Sequence, residues 1–130
     1  MNNHQKVGGV AALIDAATFV FGMVMFFLVL APVGYDSIDG DLLQNVAFLA
    51  ENQAIIYMWH LIIYVIFGSF LVILALALHA RLQTGAPAMT RTATAFGLIW
   101  AGLVIASGMV ANIGASIVVE LYANDPTQAV

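Results

Sequence analysis

Hydrophobic residues fall into three long runs, from about Gly8 to Val33, Ala54 to Leu78 and Thr94 to Val119, with two short polar stretches between them. Each run exceeds the ~20 residues that a helix needs to cross the hydrocarbon core of a bilayer. Inside that core a backbone must satisfy its own polar groups, which helices do. The pattern predicts an all-α integral membrane bundle: one membrane domain, residues 1–130, with three transmembrane helices. The polar stretch between spans one and two has structure of its own. Gly34–Gly40 reads as a turn rich in Asp and Gly. Asp41-Leu42-Leu43-Gln44 then resembles a capping box, and Leu42, Leu43, Val46, Leu49 and Ala50 follow at helical spacing. A short helix over about 41–51 is expected. It either lies on the outer membrane surface or packs as a lid on the outer end of the bundle.

Within the spans, small and polar residues mark the faces that pack, since lipid supplies little hydrophobic drive between helices. Gly8, Ala11, Asp15, Thr18 and Gly22 share one face of span one, and Tyr57, His60, Tyr64 and Gly68 share one face of span two. Span three has the densest pattern. Ala93, Gly97 and Ala101 repeat every four residues, as do Ser107, Ala111 and Ala115, while Gly108, Asn112, Ser116 and Glu120 form a polar stripe. Gly97, Ala101, Gly108, Ala111 and Ala115 are the expected helix-packing positions. Span three is the expected central helix. Tyr57, Trp59 and Tyr122 sit where amphipathic rings anchor a span at the outer interface.

Charge sets the orientation. The three Lys and Arg residues, Lys6, Arg81 and Arg91, all flank one side, while the first loop carries Asp36, Asp39, Asp41 and Glu51. The positive-inside rule places the N-terminus in the cytoplasm and the C-terminus outside. The inner loop, His79 to Ala93, contains Pro87, which breaks span two from span three. The first run is read as a retained span and not a signal peptide, because Lys6 is its only basic residue, its apolar core is long, and Pro32 follows the candidate cleavage site at Ala31. Composition agrees with a membrane protein: 63% of residues are hydrophobic and 8% charged.

Candidate chemistry is sparse. The chain has no cysteine, so thiolate and zinc–thiolate sites are excluded within it. Metalloprotease, phosphate-loop and serine-nucleophile motifs are absent. Three cations make no nucleic-acid patch. His60 and His79 lie on one helix about 28 Å apart, too far to ligate one haem iron. No catalytic residue, metal or cofactor is expected, and the chain is read as not an enzyme. Asp15, about 10 Å from the start of span one, is either a proton or cation site or a carboxyl hydrogen-bonded to Thr18 or a neighbouring helix. His60 and Asn112 lie at similar depths in the outer half, so a hydrogen bond between them is expected, with Glu120 further out. That pair is either a packing clamp or the edge of a pocket for a lipid or small ligand, with Tyr57 and Tyr64.

Two stretches carry a resemblance. One is Ala50-Glu51-Asn52-Gln53-Ala54 running into Trp59-His60-Leu61-Ile62-Ile63-Tyr64-Val65. The other is Thr92 to Gly102, continuing through Ser107-Gly108-Met109-Val110-Ala111-Asn112-Ile113-Gly114. From about Lys6 onward the chain resembles bacterial multi-pass membrane proteins of the family called domain of unknown function 4386. The resemblance implies the bacterial cytoplasmic membrane and brings no assigned activity. Members of that family are generally longer, so it implies a fragment, a shortened relative, or a protomer completed by association. The expected partners are membrane lipids and either further copies of the chain or additional membrane helices. The expected role is a non-enzymatic structural or interaction component. The alternatives are a small transporter using Asp15, or a binding protein with its pocket near His60 and Asn112.

Overall fold

A computed structural model describes residues 3–33 and 42–125. The turn expected over Gly34–Gly40 and the start of the capping box at Asp41 lie outside the described residues. Among those described, there are helices and no strand. Span one is α1 (Asn3–Met25), extended by a π-helical turn (Phe26–Leu30) and a 3-10 turn (Ala31–Val33). The loop helix is α2 (Leu42–Glu51). Span two is α3 (Gln53–His60), a π-helical turn (Leu61–Ile66) and α4 (Phe67–Leu82). Span three is the single helix α5 (Pro87–Asn124).

Among the described residues, three helices are long and apolar enough to cross a membrane: Gln5–Leu30, Gln53–Leu82 and Pro87–Asn124. Each differs from the run of apolar residues that announces it, because hydropathy marks the thickness of lipid and not the length of helix. Span two runs to Leu82 and span three begins at Pro87, so the inner loop is a four-residue turn instead of the stretch His79 to Ala93. Pro87 sits in the first turn of α5, where its missing N–H costs nothing. The 38 residues of α5 extend about 57 Å, well beyond a ~30 Å hydrocarbon core.

Span two, not span three, is central. Spans one and three both make their principal contacts with it. Span one uses the small-residue face read from its sequence: a Cβ on Gly8 would meet Ala77, and one on Gly22 would meet Ile63. Span three uses a face on which Ala101 is completely buried and Gly97 approaches Ala75. Ala111 and Ala115 are half-buried. The expectation of a central span three fails because small residues mark where a backbone can approach, not where one is present. Nothing described lies within 4 Å of a Cβ built on Gly102 or Gly114, so these glycines are on a face that nothing among the described residues covers.

The helix α2 packs on α5, with Leu49 buried and Leu42 and Leu43 exposed. Buried apolar side chains are few: Ala11, Leu30, Leu49, Ile56 and Ala101. Most large hydrophobic residues face outward, as lipid permits and water does not.

Candidate functional site

The polar side chains cluster on the seam between spans two and three. Tyr64 packs against Gly108 so closely that no Cβ would fit there, and Gly68 sits under Ile105 and the carbonyl of Ala101. These two glycines bring the backbones near enough for shorter polar side chains to bridge. His60 Nδ1 lies 2.9 Å from Asn112 Oδ1. An amide oxygen only accepts, so the imidazole donates from Nδ1, which leaves Nε2 with the lone pair when the ring is neutral. Both residues are buried, at 8% and 7% exposure. The ring of His60 is held between those of Trp59 at 5.3 Å and Tyr64 at 5.8 Å. The amide nitrogen of Asn112 has no partner among the described residues.

A cleft of about 240 Å³ lies beside this pair, and Gln53, Tyr57, Asn112 and Ser116 give it its polar lining. Ser116 hydroxyl donates to the carbonyl of Ile113 at 2.8 Å. Of the four expected polar residues, the structure joins His60 and Asn112 only. Glu120 is exposed at the far end of the stripe, where its backbone carbonyl accepts from the side chain of Asn124 at 2.9 Å.

Asp15 is on the other seam. The Gly8–Ala77 and Gly22–Ile63 approaches bracket it, so it faces the stretch of span two between those residues, away from His60. Counted along the helix from Gln5, it is about 15 Å in. Thr18 is beside it, but its hydroxyl donates to the backbone carbonyl of Asp15 at 2.9 Å, not to the carboxyl group. Asp15 is 6% exposed, and neither carboxyl oxygen has a partner among the described residues. The expected bond from Thr18 to the carboxyl is therefore corrected: the threonine spends its proton on the helix backbone, as threonines within helices do.

A second histidine clamp closes the inner end of the seam between spans two and three. His79 Nδ1 is 2.8 Å from Thr94 Oγ1, and the Thr94 hydroxyl donates to the carbonyl of Thr90 at 2.8 Å. With its proton committed, the Thr94 oxygen accepts from the imidazole. This pair was not anticipated, although the signal was present. If His60 meets Asn112 in an antiparallel pair, His79, nineteen residues further on, falls opposite residues 93 and 94.

Trp59, expected near the outer interface, also faces inward. It lines a cleft of about 390 Å³ between all three spans, and its indole N–H is buried without a partner among the described residues. Among those residues no three His, Asp or Glu side chains come together to hold a metal. No family model, curated protein or solved structure matches this chain.

Proposed function

We propose that this chain is a non-enzymatic interaction component of a bacterial cytoplasmic membrane, completed by association with its own copies or with further membrane helices. One observation carries the reading. Spans one and three both lean on span two, and the cleft between all three stays open, with the Trp59 indole N–H buried beside it and unpaired among the described residues. An unpaired donor in a low-dielectric setting costs about 1–3 kcal/mol, which a neighbouring helix supplying an acceptor offsets. The outward glycines, Gly102 and Gly114, permit close approach of such a helix. The orientation follows from Lys6, Arg81 and Arg91, which the antiparallel packing of spans one and two gathers at one end. The bacterial setting rests on the family resemblance. Native mass spectrometry of protein released gently from membranes tests the proposal. A defined oligomer or a co-released membrane partner is the expected result. A monomer that stays folded and carries no partner overturns it.

A second reading is favoured by Asp15. A carboxyl group within a span, with neither oxygen partnered among the described residues, marks an ion or proton pathway in a transporter. Flux in proteoliposomes is then expected to collapse in Asp15→Asn while the helical fold persists. No flux in the parent, or flux unchanged in the variant, removes this reading.

A further inference from the structure

A cleft of about 520 Å³ is on the inner half of the seam between spans two and three, and neither reading above uses it. Its walls are apolar, with Leu74 and Leu78 on one side and Ala93, Gly97 and Trp100 on the other. A Cβ built on Gly97 would be in ordinary contact with Ala75, so the floor is made of small groups. From Met89 at the inner end to Trp100 at the deep end, the α5 wall rises about 16 Å, roughly half of a ~30 Å hydrocarbon core. The cleft therefore has the depth of one leaflet.

Its two ends differ. The deep end is closed by the Trp100 ring, which packs edge-on against Phe67 at 6.3 Å. The inner end is polar. His79 and Thr90 line it, and the bond from His79 to Thr94 fixes the imidazole at its rim. Arg91, exposed, follows Thr90 directly. Between Asn52 and Val119 the chain has no Asp or Glu, so the charges of this hairpin, Arg81 and Arg91, are all positive. An apolar slot one leaflet deep, polar at the rim and set in a hairpin whose only charges are positive, is complementary to an amphiphile with an acyl chain and an anionic head. Basic pockets between membrane helices on the cytoplasmic side recognise acidic lipid headgroups in this way.

The geometry points to a binding site for an anionic phospholipid of the inner leaflet, with one acyl chain in the cleft against Trp100 and the phosphate at the rim beside His79 and Arg91. The site is independent of whether the chain self-associates.

Trp100 is the natural reporter, because the chain has two tryptophans and Trp59→Phe leaves it alone. That protein is reconstituted in phosphatidylcholine vesicles containing increasing amounts of phosphatidylglycerol with brominated acyl chains, or of equally brominated phosphatidylcholine. Half-maximal quenching of Trp100 is expected at about a five-fold lower mole fraction of the anionic lipid, the gain from one cation near the surface. Arg91→Gln should make the two lipids equal. Ala93→Phe, at an exposed position on the cleft wall, should also abolish the preference by filling the slot while Arg91 remains. Equal quenching by both lipids in the unfilled protein overturns the inference. So does a preference that survives Ala93→Phe, since the anion would then be held by the general lipid annulus and not by the cleft.

Discussion

Span two offers one histidine near each end of its seam with span three, and the two are held differently. His60 and Asn112 are both buried and depend on each other: without its partner, either is a polar side chain left in an apolar setting. His79 and Thr94 are half-buried, and Thr94 has a second bond, to the carbonyl of Thr90, which stays when the histidine goes. The contrast separates two uses of a polar residue between membrane helices. At the outer end the bond fixes which faces meet, because a slipped register would strand both groups. At the inner end it steadies a hairpin that a four-residue turn already closes.

The largest break in this comparison comes from Gly108. A Leu there has no room beside Tyr64 and would pry the outer end apart, at a cost of about 1–3 kcal/mol or more. Unfolding in mild detergent should register it, and the same substitution at Gly9, where space is open, should cost far less. Next in size is His60→Ala, which leaves Asn112 buried with neither amide group paired and should cost about 1–3 kcal/mol. A double-mutant cycle with Asn112→Ala sharpens the figure. A coupling of about 0.6–1.7 kcal/mol is expected, and a value near zero would mean that the bond is incidental to packing. The smallest effect belongs to His79→Ala, at about 0.5 kcal/mol, because Thr94 retains its backbone acceptor. Equal losses at the two histidines would erase the distinction between the ends.

The parts of this structure that could be read in the sequence are those set by local periodicity. The three spans follow from hydropathy, and the face Gly8, Ala11, Asp15, Thr18 and Gly22 follows from steps of three and four residues. The bond between His60 and Asn112 could be read because the two sit at matching depths and have complementary groups. What local periodicity could not supply was the order of packing. Span three has the most small residues, yet span two lies in the middle, since that depends on which of several possible faces find partners in the same chain. The placement of Asp15 is a mixed case. Its face was legible from steps of three and four residues. Its missing partner was not legible, because Thr18 has two acceptors within reach and only geometry chooses between them. His79 was overlooked for a simpler reason: it stands at the edge of an apolar run, where a histidine reads as loop.

The π-helical turn at Leu61–Ile66 has a consequence for how this chain tolerates changes in length. A π turn closes its bonds one residue later than an α turn and so holds one residue more. Deleting a single residue there should convert the bulge to ordinary helix and leave His60 and Gly68 on the same side of span two. The same deletion in the middle of α5 would rotate everything beyond it by about 100° and carry Asn112 off the seam. Span two thus has a built-in slack of one codon where it crosses its neighbours, and span three has none.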